Sequence, residues 1–542
     1  MELQELQRPK VGWLRRLRNR HEEGLDDIAT QPSVFDDPVA LEVYRPPPEY
    51  ENAHRFDPKA TWTWREEKRL IRKIDIRIML WSCVMVFCLS LDRSNINQAN
   101  TDNFLPDLGL TTNDFNLGNS VFRFAFVAAE LPSQIVSKRI GPDVWIPMQI
   151  TLWSIVSLSQ YWLTPGRAAF LVTRVLIGFL EGGFIPDTVL YLSYFYTKTE
   201  LPIRIGWFFV SSQYLSALIG AFLATGFLAI QNVTGTAGWR YLFLLEGILT
   251  GLVGITSFFM LPPGPTQTKA WFRPKGWFTE RQPREEVIMV NRILRDDPYK
   301  STMHNREGLT LRMILGAIFD WRMWPLYWLG FAHNINVGPP QTYLTLTLRQ
   351  LGFNTTQSNL LTIPSIVIGL IGLIVTSYLA EWTNSRTFGC VLLQIWALPL
   401  LIALYTFNEQ TAHWTYYIVV TLITGFPYVH PIQVAWTSRN SGDVQGRAVT
   451  ASLYNICVQF GAIAYSNVYQ ASDAPLYKKG NLALIFVTVA NILAYGLTWL
   501  FYRETNRRRE AKWESMSEKE QQTYVETTTD RGNQRLDFRF AY

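Results

Sequence analysis

IMLWSCVMVFCLSLDRSNIN, residues 78–97, opens with an uncharged run that ends at Asp92 and Arg93, side by side. A helix needs about 20 residues to cross a hydrocarbon core about 30 Å thick. Residues 78–91 are too few for that. The acid and the base therefore fall inside the membrane rather than beyond it, and a chain that places them there needs a reason.

The rest of the chain explains the setting. Of its 542 residues 17% are charged and 14% aromatic, whereas about 25% of residues are charged in an average soluble protein. Twelve apolar stretches are long enough to span, at roughly 76–98, 116–136, 144–163, 168–191, 206–230, 240–261, 325–347, 359–380, 387–407, 414–436, 449–470 and 482–502. The expected fold is an all-α membrane protein of twelve transmembrane helices in two six-helix halves, 76–261 and 325–502. A central loop (262–324) separates the halves, and in it Val287, Val290, Ile293 and Leu294 share one face of a predicted amphipathic helix. Two tails, 1–75 and 503–542, complete the chain and are expected to be largely disordered.

Basic residues orient the chain. Seven Lys or Arg lie in RFDPKATWTWREEKRLIRK (55–73), the central loop and RETNRRREAK are also basic, and QANTDNFLPDLGLTTNDFN (98–116) has none. Both termini are accordingly expected in the cytosol, with the plasma membrane the expected location. The sequons at Asn232 and Asn354 then fall outside. The positive-inside rule accounts for a pI near 9.0, so no nucleic-acid partner is implied. Cys83, Cys88, Cys390 and Cys457 all lie within predicted spans, so no disulfide framework is expected. The six histidines form no HxxxH or HxxHH grouping, which argues against a metal site, a cofactor or desaturase-like enzyme chemistry.

Ionisable residues inside spans cost roughly 2.5–3.5 kcal/mol each on insertion scales. The first half holds Asp92, Arg93, Arg123, Glu130, Arg174, Glu181 and Glu246, whereas the second half offers His333, Asn334, Asn336, Tyr428, His430, Gln433, Asn455 and Gln459. Arg174 and Glu181, like Arg123 and Glu130, are seven residues apart and so share a helix face. Arg123, Glu130 and Glu246 are read as structural ion pairs. Asp92, Arg93, Arg174 and Glu181 are read as functional, because Gly178, Gly182 and Gly183 thin the helix surface around Glu181. Three arginines against four carboxylates favour an anion only once a carboxylate is protonated, which is the thermodynamic content of proton–anion symport. Asp92 would hold the proton while Arg93 holds the anion.

LDRSNINQA resembles the first-span signature of the anion–cation symporter branch of the major facilitator superfamily, and RVLIGFLEGGFIP resembles its fourth-span signature, with Arg174, Gly178, Glu181 and Pro186 in register. WRYLFLLEG (239–247) matches the usual start of span 6. WTSRNSGDVQGR (436–447) and SDAPLYKKG (472–480) look like loops of the fungal allantoate permease family. WFRPKGWFTER and EEVIMVNRILRDDP most resemble its alternative sulfate and sulfonate transporters. The resemblance implies proton coupling at Asp92 and Glu181 and anion binding at Arg93 and Arg174. Asn97, His333, Asn336, Tyr428 and His430 are expected to face the same site. One departure stands out: SKRIGPDVW (137–145) keeps Lys138, Arg139 and Gly141 but lacks the acidic residue of the usual gating motif.

The expected function is proton-coupled uptake of a small anion such as sulfate or a sulfonate by a monomer in the bilayer. The alternatives are a permease for allantoate, nicotinate, pantothenate or a similar carboxylate, a drug–proton antiporter, and a nutrient-sensing transceptor. Span 5 lacks the Gly-Pro element of the antiporters. In the N-terminal tail, ProProProGluTyr (46–50) contains a PPxY pattern, so Pro47, Pro48 and Tyr50 are a candidate docking element for a WW-domain ubiquitin ligase.

Overall fold

The computed structural model describes residues 24–542 apart from 49, 198, 231–234, 273, 275, 279–283, 299–310, 384, 409, 442, 443, 529 and 531. The sequon at Asn232 lies outside the described residues. Asn354 is exposed and caps the helix Thr355–Leu360, its Oδ1 accepting from Gln357 N at 2.8 Å.

Among the described residues there is no β-strand, only one isolated bridge between Ile28 and Thr63. All twelve apolar stretches are helical. Spans 1 to 3 are Leu80–Ala99, Thr112–Ile140 and Pro142–Ser159. Span 4 is Arg167–Glu181 followed by Phe184–Ser193. Span 5 runs from Leu201 to Leu228 through a wider π turn at Ser211–Leu215, and span 6 is Gly238–Met260. Span 7 is Trp324–Ala332 and Gly338–Gln350, and spans 8 and 9 are Ile363–Trp382 and Arg386–Thr406. Span 10 is His413–Thr424 and His430–Asn440, span 11 is Val444–Ser466, and span 12 is Lys478–Glu514. Among the described residues seven helices, those of spans 1, 4, 5, 6, 8, 9 and 12, are long and apolar enough to cross a membrane. Large apolar side chains such as Ile155, Val172, Phe179, Ile371, Leu493 and Leu497 remain exposed, as lipid-facing positions must.

Among the described residues three spans are interrupted, and a side chain donates to a carbonyl beside each gap. After Glu181, Gly182 leaves the helix and Gly183 adopts φ +88°, a conformation that L side chains rarely adopt. The carbonyls of Leu180 and Gly182 are met by Gln149 Nε2 at 3.3 and 3.0 Å. In span 7 the HNINV gap (333–337) leaves the carbonyls of Ala332 and His333. Asn491 Nδ2 and Gln394 Nε2 donate to them at 2.8 and 2.9 Å. Span 10 breaks at GFPYV (425–429), where Pro427 lacks an N–H, and Trp396 Nε1 donates to Leu422 O at 2.8 Å.

The chain divides into two compact units, one built from 1–82, 189–205 and 259–306, the other from 83–188, 206–258 and 307–542. Within the larger unit the two halves are stitched at the end that carries residues 100–111 and 467–477. Thr345 Oγ1 donates to Asn97 O (2.7 Å), Asn359 Nδ2 to Thr101 Oγ1 (3.1 Å), Asn116 Nδ2 to Tyr469 O (2.7 Å) and Asn467 Nδ2 to Ser120 Oγ (2.8 Å). The expected disorder of the C-terminal tail is not found in its final residues. Ala541 O accepts from Trp436 Nε1 at 2.7 Å and from Asn440 Nδ2 at 3.1 Å, while Asn506 brackets Phe540.

The smaller unit corrects the expectation for the N-terminal tail as well. Residues 24–75 fold around the helix Arg284–Asp296, whose residues 288–294 are buried on every side rather than along one stripe. Asn291 and Arg292 lie inside it. Arg292 reaches Glu200 (2.9 Å), Phe195 O (2.9 Å) and Glu67 (3.6 Å), and Asn291 Nδ2 reaches Arg55 O (3.0 Å).

Close helix packing yields a paired test. A Cβ at Gly178 would collide with the Phe122 carbonyl, whereas one at Gly226 meets nothing within 4 Å. Gly178→Ala should lower stability by roughly 1–3 kcal/mol, while Gly226→Ala should change it by under about 0.5 kcal/mol, as read by thermal unfolding in detergent. Equal melting points for the two variants would refute this packing of spans 2 and 4.

Candidate functional site

Adjacent residues on a helix do not face one another, and Asp92 and Arg93 illustrate it. Asp92 turns toward span 3, where its oxygens accept from Trp153 Nε1 and Ser157 Oγ, both at 3.1 Å, and it is 1% exposed. Arg93 turns toward span 4 and pairs with Glu181, Nε to Oε2 at 2.6 Å. Asp92 is thus not the counter-ion of Arg93.

Phe122 of span 2 organises the arginines. Its ring lies 4.6 Å from the Arg174 guanidinium, 5.6 Å from that of Arg123 and 6.0 Å from that of Arg93. Arg93 also stands 4.8 Å from Phe126. Aromatic faces attract cations, so one edge of span 2 gathers three positive charges that would otherwise repel. Gly118, one turn earlier, leaves space for the Arg174 stem and the Phe170 ring. Arg93 Nη2 and Arg174 Nε are buried without a hydrogen-bond partner, and so is Glu181 Oε1. A buried donor left unmatched is costly, and a ligand carrying several oxygens would match these two.

Among the described residues, the three residues expected to form structural ion pairs have no charged partner within pairing distance. Arg123 donates to Gln459 of span 11 at 3.0 Å, and Glu130 accepts from Asn455 of the same span at 2.9 and 3.0 Å. Both contacts cross between the halves through neutral amides. Seven residues of separation align Arg123 and Glu130 on one face but leave them too far apart to pair, so each finds a partner at its own level. Glu246 of span 6 is fully buried with neither oxygen hydrogen-bonded. It lies close enough to Asp92 and Asn95 to feel both.

In the second half the broken ends of spans 7 and 10 meet. The rings of His333 and His430 stack at 5.9 Å, His430 and Tyr454 at 5.7 Å, and Tyr428 lies 5.8 Å from His430. Asn336 Nδ2 is committed to Gln394 at 2.9 Å, leaving its Oδ1 free. Asn97 contributes its carbonyl to Thr345. Among the described residues no hydrogen bond joins this aromatic group to the arginines. Sequence reasoning missed Phe122, which carries no charge to flag it, and Asp187. The latter is fully buried in the first turn of Phe184–Ser193, where Ser133 Oγ donates to it at 3.0 Å. Its position just after the span 4 break was the available signal, since an acid suits a helix start.

A family model described as Major Facilitator Superfamily matches residues 82–466. An uncharacterised transporter of Saccharomyces cerevisiae is 42% identical over 495 residues, which cover 91% of this chain and 90% of the relative. The MFS-type transporter cnsO of Penicillium expansum is 27% identical over 453 residues, covering 82% and 85%. A bacterial homolog of the human lysosomal transporter Spinster, inward-facing and occupied, matches with a TM-score of 0.56 at 14% identity, over 79% of this chain and 96% of that one. The partially occluded, inward-open xylose transporter XylE from E. coli gives 0.53 at 14% identity, over 79% and 97%. At such identity the two structures speak for the fold alone.

The Arg93–Glu181 contact is testable without a substrate. Removing one partner of a buried pair costs about 3–5 kcal/mol, and removing both costs less than the sum. Arg93→Gln and Glu181→Gln should therefore show a coupling of at least about 1 kcal/mol in a thermal-unfolding double-mutant cycle. Strict additivity would mean that the two side chains do not meet.

Proposed function

This chain belongs to the major facilitator superfamily and is a membrane transporter, not an enzyme, and we propose that it carries a small anion, sulfate or a sulfonate, together with protons. The observation behind this reading is the arginine group, in which three guanidiniums around Phe122 have one carboxylate, Glu181, in direct contact. The whole-half count of three arginines to four carboxylates overstates the negative charge here, because Asp92 turns to span 3 and Glu246 lies beside Asp92 and Asn95, although Glu130 is near enough to Arg93 to offset part of its charge. The local excess of positive charge suits an oxyanion, and guanidinium forks suit its paired oxygens.

Coupling follows from competition for Arg93. While Glu181 is ionised it occupies Arg93 Nε. A proton on Glu181 weakens that pair and releases the guanidinium to the anion. Proton and anion thereby favour each other's binding, which is what symport requires. Asp92, anchored to span 3, is a second carboxyl available for a proton. With both termini in the cytosol, the stitched end faces outward.

A second reading has its own support. The stacked His333, His430 and Tyr454 rings offer a flat surface to an organic body, as in nicotinate or another small carboxylate. A panel of labelled anions, assayed for uptake at acidic and neutral pH in a strain lacking its own sulfur permeases, separates the two. Sulfate or sulfonate uptake that rises with acidity supports the first reading, and uptake confined to an organic carboxylate supports the second.

Glu181→Gln, whose amide mimics the protonated acid, should abolish concentrative uptake yet preserve exchange; full pH-driven accumulation in that variant would remove Glu181 from the coupling step. Arg93→Lys and Arg174→Lys should each keep the charge but lose at least tenfold in apparent affinity, about 1.4 kcal/mol, and their effects should not add. Normal affinity in both would reduce the arginines to mere neutralising charges.

A further inference from the structure

The PPxY element of the N-terminal tail is in use inside the protein. Tyr50 is 7% exposed and packs in a cluster with Phe35, Val290 and Leu294. Burial pushes its hydroxyl up to about 12, a sign of how far the phenol is withdrawn from water. Pro46 is buried as well, while Pro48 stays at the surface. The backbone is also wrong for a reader of extended proline segments. Tyr50 N donates to Pro47 O at 3.0 Å and closes a turn, and Ala53 N donates back to Tyr50 O at 2.9 Å. WW-type domains take an open polyproline helix, which has no internal hydrogen bonds.

Contacts on both sides hold the turn shut. Arg55 pairs with Glu286 at 2.8 Å, Asp57 N donates to Asn291 Oδ1 at 2.9 Å, and Arg295 pairs with Asp36 at 2.5 Å. Phe35 meets Phe56 edge to face at 5.1 Å across the tyrosine pocket. The three polar anchors all end on the helix Arg284–Asp296.

We infer that Pro47, Pro48 and Tyr50 form a masked docking element, closed while residues 33–57 sit on the helix Arg284–Asp296 and readable by a WW-type domain only after they lift away. A domain with an aromatic-lined groove, free or carried by a ubiquitin ligase, then senses whether this segment is docked. A binding-competent state populated at a small fraction weakens the apparent affinity by that fraction. The inference does not depend on what is transported.

The test is a titration of the full-length chain in detergent with an isolated WW domain of the PPxY-reading class. Leu294→Asp puts a charge into the tyrosine pocket and should open the segment. Its affinity for the domain should exceed that of the unmodified chain by at least tenfold, and Tyr50→Ala added to it should abolish the gain. Glu286→Ala with Asp36→Ala removes both ion pairs, and with Asp36 the bond it accepts from Ser33 N, and should give a smaller gain in the same direction, which keeps the test valid if Leu294→Asp does not fold. Limited proteolysis between residues 46 and 57 should quicken in the same order. Equal and measurable affinity of the unmodified and opened chains would overturn the masking, and an opened chain that is cleaved faster yet binds no WW domain would overturn the docking element itself.

Discussion

Inside a bilayer no water is present to accept a hydrogen bond from a broken backbone, and the molecule is organised around that constraint. Spans 4, 7 and 10 can be interrupted only because Gln149, Gln394, Asn491 and Trp396 supply donors at 2.8–3.3 Å to the carbonyls left near the gaps. The gaps in turn put chemistry at depth. Glu181 ends one half-helix, His333 and Asn336 lie in or beside a second gap, and Tyr428 and His430 border a third. The buried amides are therefore as necessary to the site as the charges they never touch.

The charges follow a related logic. Three guanidiniums cannot share a low-dielectric region without something to offset their repulsion. Here it is one carboxylate, one amide and a phenylalanine ring. This arrangement leaves donors on Arg93 and Arg174 unmatched, and a buried donor without a partner is costly. A fully paired group would be more stable.

The fold was legible because it rests on run lengths, and each of the twelve apolar stretches is helical. The ionisable residues of the spans were legible too, since a charge within an apolar run is conspicuous. Their pairing was not. Asp92 and Arg93 adjoin in sequence but point to spans 3 and 4 respectively, and Arg123 and Glu130 pair with span 11 rather than with a charge. Helix periodicity gives the face of a residue and leaves the neighbour across from it open. Phe122 was invisible because an aromatic residue in an apolar span is unremarkable until arginines surround it. The folded N-terminal segment was missed for a different reason. Its polar composition suggested disorder, but its few apolar residues, Phe35, Tyr50 and Phe56 among them, are concentrated on a single partner helix.

The division of charge between the halves has a mechanical consequence. A transporter must separate contacts between its halves in each cycle, and a buried ion pair resists separation by about 3–5 kcal/mol. Along spans 2 and 11 the first half presents Arg123 and Glu130, while the second answers with Gln459 and Asn455. Hydrogen bonds from a charge to a neutral amide contribute about 1.5–3 kcal/mol each, and the amide left behind on opening bears no charge. The stitching at the far end is likewise made of Asn, Ser, Thr and Tyr groups. Confining ionic residues to one half thus keeps its internal pair, Arg93 with Glu181, apart from the contacts that must open, and these remain weak enough to part.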